Sequence, residues 1–78
     1  MHHNLKIDKP YYEAILAGKK NFEIRNNDRG FNAGDTVELR ASGYKYITAT
    51  IGYVTNYAQR EGYVVFSLLG VKEQTNDR

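Results

Sequence analysis

Residues 18–25 read Gly18-Lys19-Lys20-Asn21-Phe22-Glu23-Ile24-Arg25, or GKKNFEIR. From Asn21 onward polar and apolar residues alternate strictly, which is the period of a β-strand with two unlike faces. Phe22 and Ile24 are expected in the core, with Asn21, Glu23 and Arg25 on the opposite face. By itself such a face is a solvated strand surface, on which an exposed Glu–Arg pair contributes roughly 0–1 kcal/mol. Gly18 marks the end of the element before it, because a glycine readily takes the left-handed conformation that closes a helix.

That element is a helix of about two turns. Asp8 stands at its cap position and Pro10 in its first turn, where a missing N–H costs nothing. Tyr12, Ile15 and Leu16 recur at helical spacing, with Tyr11 and Ala14 widening the stripe. A helix this short depends on packing for its stability. Before it, His3–Ile7 alternates as a first strand.

After the quoted stretch, Asn26–Gly30 reads as a loop and Ala33-Gly34-Asp35 as a turn that Asp35 orders. Thr36–Arg40 alternates again, and Ser42–Lys45 reads as a hairpin connection. Tyr46–Val54 is rich in β-branched and aromatic residues and predicts a long strand with a bulge at Gly52. Tyr57–Gly62 has room for a helical turn. Gly62–Leu69 is a continuous apolar run, expected to be buried on both faces or to close a barrel. The polar tail, residues 70–78, is expected to fray. About five strands and one or two short helices result. Short twisted strands escape their exposed edges by curling. The predicted fold is mostly β: a small, partly open, largely antiparallel barrel with the helix at one end or flank, in a single domain over 1–78.

Composition narrows the functional classes. The chain has 78 residues, no cysteine and a net charge of +2, which rules out disulfides and thiolate metal sites. A mildly basic balance permits nucleic-acid contact without requiring it. No run is apolar enough for a signal segment or a membrane span, so a cytoplasmic protein without membrane contact is expected. Seven Tyr and three Phe with no Trp suit strands, barrel cores and base-stacking surfaces.

On a barrel rim, Lys20, Arg25 and Arg29 would converge on Glu23, with Asn27 extending the polar track. The cations suit phosphate, and the carboxylate suits holding a guanidinium or accepting from a donor. Tyr11, Tyr12, Tyr53 and Tyr57 offer rings for stacking, although packing is the ordinary role of each. Arg40 and Lys45 extend a basic surface of the kind that solvated strand edges carry. His2 and His3 are neighbours on a strand and diverge, with no third ligand, so no metal site and no cofactor are expected. His3 stays a candidate for the rim.

Gly18, Lys20, Glu23 and Arg25 match the Gly-x-Lys-x-x-Glu-x-Arg signature of ASCH domains without a gap. The flanks HNLKI (His3–Ile7), Tyr11–Arg40 and EGYVVFSL (Glu61–Leu68) resemble small bacterial and phage members of that group, in the same order. The resemblance implies a PUA-like fold with a cleft beside the first helix, lined by Lys20, Glu23 and Arg25, with Gly18 as the turn between helix and strand. It also implies binding of RNA or a nucleotide. Some relatives of that fold are amidohydrolases acting on acetylated cytidine through a Lys, a Thr and a later Glu. Here Lys20 matches the Lys and Glu23 stands at the Thr position; Glu61 and Glu73 are the late acids. Catalysis by Lys20 and Glu23 on a modified nucleoside is therefore the alternative. A protein-interaction module with a purely structural cleft is a third.

Overall fold

Each alternating stretch of the sequence becomes a strand in the computed structural model, which describes residues 1–75. The order is β1 (His2–Lys6), α1 (Lys9–Leu16), β2 (Phe22–Asn26), β3 (Thr36–Arg40), β4 (Tyr46–Thr55) and β5 (Tyr63–Gln74). The described residues are thus mostly β with one short helix. The strands form one sheet in the order β1-β3-β4-β5-β2, curled into a half-barrel. β3, β4 and β5 make an antiparallel meander, β2 adds antiparallel to β5, and β1 adds parallel to β3. A parallel pair needs a long crossover, and α1, β2 and the loop to Asp35 provide it.

The core lies in the hollow of the curl. Leu5, Val37, Leu39, Ile47, Ile51, Val64, Phe66 and Leu68 fill it from the strands, Tyr12 and Ile15 from α1, and Phe31 from the loop. Burying a side chain of this size contributes about 1.5–3 kcal/mol. α1 packs on β5, where the Tyr12 hydroxyl donates to Glu73 Oε2 at 2.9 Å. Burial, then that carboxylate, push the Tyr12 hydroxyl above its ordinary range. Leu16, expected in the same stripe, is 40% exposed. Asp8 sits at the cap position in extended conformation, but its side chain makes no capping bond.

Two bulges bend the sheet. The pairing of β4 with β5 slips between Ile51 and Val54, around Gly52, and again between Thr48 and Thr50. The second slip lies opposite Gly70, whose φ is +61°. Gly52 has a steric reason as well. A Cβ there would lie 2.6 Å from Ser67 Oγ and 2.9 Å from the Leu69 side chain.

Several expectations are corrected. Residues 70–74 do not fray: they continue β5, with Gln74 opposite Tyr46 and Lys72 opposite Thr48. A neighbouring strand satisfies their backbone regardless of side-chain polarity. Residues 76–78 of the expected tail lie outside the described residues. β5 buries Val64, Phe66 and Leu68, while Tyr63, Val65 and Ser67 between them are half-buried; its second face is thus only partly covered. Tyr57–Gly62 holds turns and no helix, because Ala58 (φ +59°) and Gly62 (φ +85°) leave the helical region.

The largest correction concerns β2. Glu23 is buried at 4% exposure, while Phe22 and Ile24 are 39% and 52% exposed. The inversion follows from register. Glu23 pairs with Phe66 and Arg25 with Val64, and laterally paired residues share a face. The core-facing side of β5 therefore turns Glu23 and Arg25 inward. Both ends of β2 are pinned in that register, by Leu68 N–H donating to the Asn21 carbonyl (3.0 Å) and Asn27 N–H to the Gly62 carbonyl (2.8 Å).

Candidate functional site

The end of α1 sets the position of Lys20. Gly18 N–H donates to the Ile15 carbonyl at 3.1 Å and Lys19 N–H to the Ala14 carbonyl at 2.9 Å, with Gly18 at φ +76°. This paired closure turns the chain sharply off the helix and delivers Lys20 to the start of β2. The Lys20 ammonium donates to the Phe22 carbonyl at 2.7 Å and to Glu23 Oε2. It also lies 4.9 Å from the Phe22 ring centroid and 5.3 Å from that of Tyr11, close enough for attraction to the ring faces.

Arg25 reaches Glu23 from the other side. Its Nε donates to Glu23 Oε1 at 3.0 Å, and its Nη2 donates to the Lys6 carbonyl at 2.8 Å. Each carboxylate oxygen of Glu23 thus faces one cation. Burying a carboxylate is costly unless it is paired and hydrogen-bonded; here it is both. The side chains of Lys20 and Arg25 remain 16% and 24% exposed, so both cations keep a side toward solvent.

Above the trio opens a cleft of about 520 Å³, within the size range of small-ligand sites. Tyr11, Phe22 and Tyr63 give it aromatic walls, Ile7 and Ile24 add apolar surface, and Lys6, Asp8 and Asn26 add polar groups. The Arg60 guanidinium lies 5.2 Å from the Tyr63 ring centroid. Such a site suits a flat ring carrying an anionic or carbonyl group: aromatic walls take the ring, and held cations take the oxygen atoms.

Of the residues singled out by sequence, Lys20, Glu23, Arg25 and Tyr11 meet in the cleft, and Gly18 makes the turn that brings them there. Asn27 and Arg29 do not line it. Asn27 Oδ1 accepts from Phe31 N–H at 2.9 Å, and Arg29 Nη1 donates to the Asn4 carbonyl at 2.8 Å. They fasten the loop that carries Phe31 into the core. His3 is not on the rim. It is buried, with Nε2 2.9 Å from Asp35 Oδ2 and its ring against Phe31. Asp35 also accepts from Asn32 N–H. The His3 contact foremost, and then the amine of Met1, hold the Asp35 carboxyl down to about 2. Among the described residues, no three His, Cys, Asp or Glu side chains gather as metal ligands would. Neither Glu61 nor Glu73 lines the cleft.

Sequence reasoning missed Asp8, Phe22 and Tyr63 as cleft residues. Asp8 looked like a cap, but its side chain makes no capping bond; Phe22 looked like core, and only the register of β2 against β5 reveals otherwise. Tyr63 opens the apolar run, and no local signal separates it from the core residues that follow.

Residues 2–68 match the family model described as a domain of unknown function (DUF3850). One relative is an uncharacterised 12.9 kDa protein in the GpA 3′ region of Escherichia phage P2. It is 40% identical over 37 residues, which cover 47% of this chain and 34% of the phage protein. The match therefore spans about a third of that relative's length.

Proposed function

The chain belongs to the DUF3850 family, a domain of unknown function, and we propose that its cleft binds RNA or a nucleotide-sized ligand. One observation carries the reading: a buried carboxylate holds two cations side by side at the floor of an aromatic-walled cleft. Lys20 and Arg25 take phosphate or carbonyl oxygens. Tyr11 and Phe22 flank a ring. Glu23, with both oxygens engaged, positions the cations, and Asp8 is the acceptor for a ligand donor. The resemblance of Gly18, Lys20, Glu23 and Arg25 to the ASCH signature, and of the curled sheet to a PUA-like barrel, supports the same reading.

Titration of the purified protein with short single-stranded RNA over a range of salt tests it. Two phosphate contacts predict a log–log salt slope of about −1.4. Arg25→Ala is expected to abolish binding while circular dichroism shows the fold retained. Undetectable binding at low salt overturns the proposal. Turnover of acetylated cytidine that disappears in Lys20→Ala would replace binding with the amidohydrolase alternative.

A further inference from the structure

We infer that a second groove, across Phe22 from the cleft, seats the base next to the nucleotide held in the cleft, so that the ligand is single-stranded RNA and not a free nucleotide. The inference rests on the function proposed above. Phe22 lines both depressions, so a strand leaving the cleft crosses that ring into the groove.

The second groove has a volume of about 280 Å³ against 520 Å³ for the cleft. It has room for one base. Its chemistry is also complementary. Among the described residues no charged side chain lines it; its surface comes from Phe22, Tyr53, Leu69 and Val65, edged by Asn21 and Ser67. Cations belong to the cleft, where the phosphate sits, and the groove offers flat apolar surface to a neutral ring. Tyr53 is 70% exposed and Leu69 55%, so both side chains are accessible for a base to stack on. The Asn21 carboxamide, exposed at the groove edge, carries a donor and an acceptor suited to a base edge.

The test compares uridine 5′-monophosphate with the trinucleotide UUU, both by calorimetry on the whole chain. The trinucleotide is expected to bind at least ten-fold more tightly. Tyr53→Ala should remove about ten-fold of that affinity, the range of one lost stacking contact, and leave the monophosphate unchanged. Tyr53→Phe should restore it. A trinucleotide that binds no better than the monophosphate sinks this inference and leaves the cleft reading standing. So does a Tyr53→Ala variant that weakens both probes equally. Failure of both probes sinks the cleft reading and this inference together.

Discussion

The Arg25 guanidinium spans the open side of the half-barrel and donates to the Lys6 carbonyl at 2.8 Å. β1 and β2 are the two edges of the sheet, so a side chain bridges a gap that a closed barrel would fill with a backbone ladder. Arg29 makes the same kind of link to Asn4. The group that ties the edges together is also a cleft cation.

Arg25→Lys separates these duties. Lysine keeps the charge but cannot reach Glu23 and Lys6 together with a planar fork. We expect a loss of about 1–2 kcal/mol in urea denaturation, from one or two charge-assisted hydrogen bonds. Faster amide exchange in β1 should accompany it. Unchanged stability would show that the edge link is idle.

Glu23→Ala leaves two cations facing each other without a counterion. Breaking a buried ion pair costs roughly 3–5 kcal/mol, and about 3 is expected here because both cations keep solvent access. Added salt should recover part of the loss, which denaturation at several ionic strengths will measure.

Asp35 supplies an acid-side pH dependence. Its folded value, about 2, lies below the ordinary 3.8. The stabilisation is therefore present above the unfolded value and is lost as pH falls from 3.8 toward 2. His3→Ala removes the foremost cause and should move the Asp35 carboxyl back toward 3.8 in an NMR titration. A titration identical in both proteins would discard the assignment.

Gly52→Ala drives a methyl into Ser67 Oγ and Leu69. Overpacking of this kind costs about 1–3 kcal/mol. The double substitution Gly52→Ala with Ser67→Gly should recover part of it, by thermal denaturation of the double and of both single variants.

The early strands were legible because period two survives in them, as β3 matches its alternating stretch from Thr36 to Arg40; β4 and β5 were legible from β-branched, aromatic and apolar runs, and the β4 bulge falls at Gly52 as expected. The convergence of Lys20, Glu23 and Arg25 was legible too, since a helix stop followed by a strand forces them near one another. What alternation cannot say is which face turns inward. Phe22 and Ile24 are the apolar pair and would be chosen on hydropathy, yet β2 takes its facing from β5, whose inward side was already fixed by Val64 and Phe66. Residues 70–74 were misjudged for a related reason: their order comes from β4, far away in sequence. His3 and Arg29 are engaged by Asp35 and Asn4, partners that local spacing does not reveal.

The parallel pairing of β1 with β3 has a bearing on how the molecule assembles. β3, β4 and β5 are joined by brief connections, whereas β1 and β2 must each travel across the chain to dock, and distant pairings are slow to form. Pulse-labelled exchange should find β4 protected before β2. The cleft beside β2 is thus the last thing the polypeptide builds, and it exists only in a molecule whose outermost strands have already met.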